Sequence, residues 1–130
     1  METILLMQVA GSFFGLTAVI MGAFGAHALK SRLKEDQLRS FETGVKYQMY
    51  HAILLLVLSF NLGFSRVLDI YMAHFFIWGT CLFSFSIYGL ILSSVKGKKW
   101  KFLGPVTPIG GLLLVMGWSL LLYSVIRNFL

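Results

Sequence analysis

Charged side chains are scarce in this sequence. Asp and Glu number five and Lys and Arg eleven among 130 residues, 12% in all, against about 25% in ordinary soluble domains. None of them falls in residues 3–29, 47–65, 70–95 or 102–126. Pumps and proton-coupled exporters rely on an ionisable group buried in the membrane, and these stretches offer none. They also lack the paired carboxylates of an aspartyl intramembrane protease and the HExxH of a metal-dependent one. No GxSxG elbow supports a serine hydrolase. Cysteine is nearly absent as well. Cys81 stands alone, which excludes an internal disulfide, a CxxC redox pair and a cysteine-built metal site. A basic n-region is missing from the amino terminus, where Glu2 stands, so no cleavable signal is expected.

What fills the chain instead is apolar. Hydrophobic residues make up 58% and the mean hydropathy is +0.82. A helix crossing a bilayer needs about 20 such residues, and each charge-free stretch supplies about that many. The expectation is an all-α protein, a four-transmembrane-helix bundle forming a single membrane domain over residues 1–130. The net charge of +6 sits between the apolar runs. Lys30, Arg32, Lys34, Arg39 and Lys46 lie in loop 30–46, and Lys96, Lys98, Lys99 and Lys101 in loop 96–101, leaving Arg66 and Arg127 for the other side. Basic loops mark the cytoplasmic face, so both loops are expected there, with both termini outward. That topology accounts for the charge, and no nucleic-acid partner is expected.

Leu33, Leu38, Phe41 and Val45 recur at near-helical spacing among polar residues, which predicts a short amphipathic interfacial helix between spans one and two. Gly44 is the expected bend into span two. In span one, Gly11, Gly15, Ala18, Gly22 and Gly25 follow intervals of four and three and form a seam of small residues. Such seams let helix backbones approach closely in lipid. Gly79, Ser86, Gly89 and Ser93 repeat the pattern more weakly in span three. Pro105 and Pro108, followed by Gly110 and Gly111, predict a distorted start to span four, with Thr107 re-satisfying a freed carbonyl. Trp118 reads as packing.

Histidine is the remaining chemistry. The run boundaries place His27 at the end of span one and His51 at the start of span two, so both are expected near the inner face. With Glu42, Lys46, Tyr47, Tyr88 and Thr107 they would make a polar cluster at the inner mouth of the bundle. A hydrogen-bonded clamp is the plainer reading of that cluster, and a proton-handling or binding site the sharper one. Neither a catalytic set, a metal site nor a cofactor is expected.

Met21–His27 (MGAFGAH), Gly44–His51 (GVKYQMYH), Thr107–Gly111 (TPIGG) and Gly117–Trp118 together resemble the domain-of-unknown-function 423 family. These are small bacterial membrane proteins of the YgdD/YwdK type, similar to transmembrane protein 256 of animals. The resemblance implies a multi-pass protein of the bacterial plasma (inner) membrane and implies no reaction. The expected function is a non-enzymatic membrane component acting through helix packing, membrane lipids or a partner membrane protein, with a homo-oligomer also open. A small-solute or ion transporter is the alternative, and a lipid-headgroup enzyme using His27, Glu42 and His51 the second alternative.

Overall fold

The computed structural model describes residues 1–130 apart from the side chain of Ala26. It is all-helical among the described residues. Helix α1 (Glu2–Phe24) continues through a π-helical turn, Gly25–Leu29. Helix α2 spans Glu35–Asn61. Helix α3 (Val67–Thr80) passes through a second π turn, Cys81–Phe85, into α4 (Ser86–Val95), and the three form one rod. A single 3-10 turn, Lys101–Leu103, precedes α5 (Val106–Phe129). Three stretches are long and apolar enough to cross a membrane: Glu2–Leu29, Val67–Val95 and Lys101–Phe129.

Residues 33–45 do not form a separate interfacial helix. The second rod starts at Glu35 and runs without a break to Asn61. Glu35 and Asp36 occupy its first turn, where carboxylates complement the helix dipole. Gln37 Oε1 accepts the Lys34 backbone N–H at 3.0 Å. Gly44 makes no bend. A Cβ there would lie 2.9 Å from the Tyr88 ring, and the Gly44 carbonyl accepts a bond from Ser84 Oγ at 2.7 Å. This glycine lets α4 approach α2, and the helix runs on through it without interruption.

Small residues set the order of the rods. Along α1, Gly11 lies against Ala52 and Leu56, Gly22 against Val45, and Gly25 against Phe41. The two helices are therefore antiparallel, with Gly15 and Ala52 side by side near their midpoints. Gly15 itself has room, since a Cβ would stop 3.9 Å from Ala52. A second close approach joins α5 to the α3–α4 rod. A Cβ on Gly110 would run into the backbone of Phe83, and one on Gly117 would come within 2.8 Å of the Phe76 ring. Gly79 meets Leu114 across the same seam. The α2 helix also packs on α3 and α4, but α5 touches neither α1 nor α2 through its backbone.

The start of α5 is regular. Pro105 precedes its first residue and Pro108 sits in its first turn, where a missing N–H has no partner to lose. Thr107 is correspondingly free of any repair role and pairs with Ser86, 2.6 Å away.

Buried apolar side chains divide between two layers. Met7, Phe14, Leu55, Met72, Phe76 and Leu114 fill one, and Leu29, Leu33, Phe41, Ile87, Tyr88 and Ile91 the other, toward the basic loops. Large apolar residues also cover the outside, including Leu5, Val9, Leu16, Val19, Leu112, Val115 and Leu122, each around 60% exposed. Water would not tolerate so broad an apolar surface; lipid does.

Candidate functional site

Because α5 spends its glycine face on the α3–α4 rod, a groove remains between α5 and α2. Its floor is Ile87, Leu90 and Ile91 of α4. One wall is a stripe on α2, Asp36, Ser40 and Thr43, with Gln37 beside it; Ser94, Lys99, Gly104 and Thr107 complete the lining. The volume is about 470 Å³, in the size range of small-molecule sites (~300–1,000 Å³). It opens at the basic end of the bundle.

Local backbone chemistry places Lys99. Helix α4 ends with Gly97 at φ +83°, a left-handed conformation that suits glycine. The Lys98 N–H bonds to Ser93 O and the Gly97 N–H to Ser94 O, both at 3.1 Å, which together make a Schellman stop. The chain then turns back, and the Trp100 N–H binds Ser93 Oγ at 3.0 Å. Lys99 is held between these two anchors. Across the groove, Gln37 Nε2 reaches Ser94 Oγ at 3.3 Å and ties the start of α2 to α4.

Below the groove lies a polar core at mid-depth. Gln48 is fully buried. Its amide donates to Phe14 O at 2.9 Å and to Thr17 Oγ1 at 2.6 Å, while its Oε1 accepts from the Tyr88 hydroxyl at 2.7 Å. One side chain thereby connects α1, α2 and α4. His51 Nδ1 lies 2.7 Å from Tyr47 O, and a carbonyl only accepts, so Nδ1 carries the proton. That leaves Nε2 to accept from Trp118 Nε1 at 3.1 Å. Tyr47 stacks on the His51 ring with centroids 6.2 Å apart. The His51–Trp118 pair bridges α2 and α5.

The inner-mouth cluster expected from the sequence does not assemble. His27 is exposed in the π turn that ends the first rod. His51 lies level with Gly15, about twelve residues down the bundle, or roughly 18 Å at 1.5 Å per residue. The charge-free run starting at Tyr47 suggests an interfacial His51, whereas the helix containing it begins twelve residues earlier at Glu35. Glu42 and Lys46 line a separate shallow pocket of about 310 Å³ with Gly22, Gly25, Leu38, Phe41 and Val45. Tyr88 is occupied by Gln48, and Thr107 alone of the set lines the groove. Trp118 is a hydrogen-bond donor as well as packing. Sequence reasoning missed Gln48, whose lone uncharged amide gives no signal, and the Asp36–Ser40–Thr43 stripe, whose i, i+4, i+7 spacing on a continuous α2 was available. No group of three His, Cys, Asp or Glu residues able to hold a metal occurs among the described residues.

At the opposite end, Arg66 grips Asp69 through two bonds, Nε–Oδ2 at 3.0 Å and Nη2–Oδ1 at 3.1 Å. The same guanidinium donates to Ser124 Oγ at 2.6 Å and to Asn128 Oδ1 at 3.5 Å. This fork locks the start of α3 to the end of α5.

A family model described as a protein of unknown function (DUF423) matches residues 21–111. Among similar proteins, the UPF0382 membrane protein C1782.12c of Schizosaccharomyces pombe is 38% identical over 111 residues, covering 83% of this chain and 91% of its own. The UPF0382 inner membrane protein YgdD of Escherichia coli is 34% identical, covering 93% and 89%. The UPF0382 membrane protein YwdK of Bacillus subtilis is 32% identical, covering 92% and 94%. No solved structure matches.

Proposed function

The chain belongs to the DUF423 family of membrane proteins, whose function is unknown, and from that premise we propose that it is a non-enzymatic four-span component that holds lipid in the groove between α2 and α5. The groove carries this reading. Hydroxyl and amide groups line its mouth, Ile87, Leu90 and Ile91 form its floor, and it opens at the end where the basic loops lie. A lipid has that same division, polar at the headgroup and apolar below.

Four spans are supported by the length of α2, 27 residues or about 40 Å, antiparallel to rods of similar length. Its exposed residues beyond Tyr50, among them Ile53, Val57 and Phe60, suit contact with acyl chains. Its first three turns, rich in polar groups, then stand at headgroup depth. With nine of eleven Lys and Arg residues at that end, it faces the cytoplasm and both termini face outward. The location is the plasma membrane, in keeping with the printed description of YgdD as an inner membrane protein.

Holding is favoured over passing solute because the mid-depth polar groups are spent on one another. Among the described residues, no buried side-chain nitrogen or oxygen lacks a partner. Beyond that level the packing of Met7, Leu55, Met72 and Phe76 is apolar. An enzymatic reading loses its support with the separation of His27, Glu42 and His51. Native mass spectrometry of the purified chain tests the proposal. Bound phospholipid is expected on the wild type, and Thr43→Trp, which fills the groove from the exposed side of α2, is expected to lower it about tenfold, the equivalent of one lost apolar contact region of roughly 1.4 kcal/mol. Equal lipid on both proteins would overturn it.

A further inference from the structure

The groove lining carries one charge of each sign. Asp36 stands on α2, and Lys99 on the connection from α4 to α5. Among the described residues the side-chain ion pairs are Arg39–Glu35 and Arg66–Asp69, so Asp36 and Lys99 pair neither with each other nor with another side chain. The same lining holds the hydroxyls of Ser40, Thr43, Ser94 and Thr107; Thr43 spends its proton on Arg39 O and Thr107 on Ser86, whose own goes to Phe83 O, so Ser40 and Ser94 keep a proton to donate. Resting on the lipid-holding reading above, we infer that the groove selects an amine-bearing zwitterionic phospholipid. Its phosphate sits on Lys99 with the Ser40 and Ser94 hydroxyls as donors, and its primary ammonium sits on Asp36.

The complementarity excludes the other common headgroups for stated reasons. An anionic glycerol headgroup would satisfy Lys99 but would bring only neutral hydroxyls to Asp36, leaving the carboxylate without a countercharge. A quaternary ammonium would meet the charge of Asp36 without an N–H to donate. Only a primary ammonium supplies both, and a hydrogen bond between charged partners is among the stronger polar contacts. The single positive charge on the groove wall also separates this site from the rest of the loop, where Lys96, Lys98 and Lys101 lie outside the lining and serve the general attraction of basic loops to the inner leaflet.

Nanodiscs holding equal amounts of phosphatidylethanolamine and phosphatidylglycerol supply the test, with lipid released from the washed protein measured by mass spectrometry. The wild type is expected to retain the ethanolamine lipid about tenfold over the glycerol lipid, the ratio that one charge-assisted hydrogen bond provides. Asp36→Asn should retain lipid and lose the preference, whereas Lys99→Gln should lower both lipids together. Melting temperature controls for the contribution of Asp36 to the α2 dipole. A preference for the glycerol lipid in the wild type, or an ethanolamine preference surviving in Asp36→Asn, would overturn the headgroup assignment while lipid loss in Thr43→Trp still upheld the groove. No retained lipid in any variant would remove both.

Discussion

The two ends of the bundle are built on opposite plans. At the end holding residues 62–66, Arg66 binds Asp69, Ser124 and Asn128 at once, Phe64 turns inward at φ +50° and is buried, and Asp69 is only 5% exposed. At the basic end the corresponding polar residues, Asp36, Ser40, Thr43 and Lys99, line an open groove. The difference teaches where the rigidity of this fold resides. One end closes its polar groups on each other, and the other presents them. Between the two, the Gln48 and His51 networks and the Gly110 approach form a seal at mid-depth.

Substitutions that attack the seal should cost most. Gly110→Leu places atoms against the Phe83 backbone, which cannot yield as a side chain can. A loss of about 3 kcal/mol, the upper part of the overpacking range, is expected in detergent unfolding, together with loosening of α5. The next largest effect belongs to the closed end. Arg66→Ala strands a buried carboxylate, and because Arg66 is itself about one-third exposed the expected loss is about 2 kcal/mol, below that of a fully buried pair. Gln48→Leu removes three hydrogen bonds across three helices. With membrane bonds averaging about 0.6 kcal/mol each, a loss near 2 kcal/mol or slightly less is expected from the same unfolding curves.

The smaller effects sharpen the contrast. Gly97→Ala forces a side chain into a left-handed turn and should cost about 1 kcal/mol, while weakening lipid retention by displacing Lys99. Ser40→Ala, at the open end, should leave stability within about 0.5 kcal/mol, since its hydroxyl faces the groove and supports no other element. A large destabilisation by Ser40→Ala, or none by Arg66→Ala, would erase the distinction between the ends.

Much of the helical class and the membrane character was legible, because long charge-free runs are direct physical signals. The extent of α2 was not. A run defined by absent charge begins at Tyr47, but amphipathic turns rich in Glu, Asp and Arg add three more to the same helix, and that shift carries His51 from the interface to mid-depth. Small residues can be counted along α1, yet their spacing does not say which helix they meet. For the site the limit was stricter. The groove exists because the backbones of α2 and α5 make no close approach and meet only through the His51–Trp118 pair below it, a fact of tertiary arrangement that no local pattern encodes. Thr107 stands out by its place near the start of span four, while nothing local separates Ser40 and Thr43 from the other polar residues between the apolar runs. Gly44 illustrates the same ambiguity: a glycine in a helix can mean a bend or a close neighbour, and only Tyr88 across from it decides.

The most direct measurement is a crystal structure grown from a lipidic mesophase. An elongated density running from between Asp36 and Lys99 down toward Tyr47, with α2 and α5 still apart, is the predicted result. Collapse of α5 onto α2, with Ser40 and Thr43 packed against it and no space left between the walls, would contradict the account.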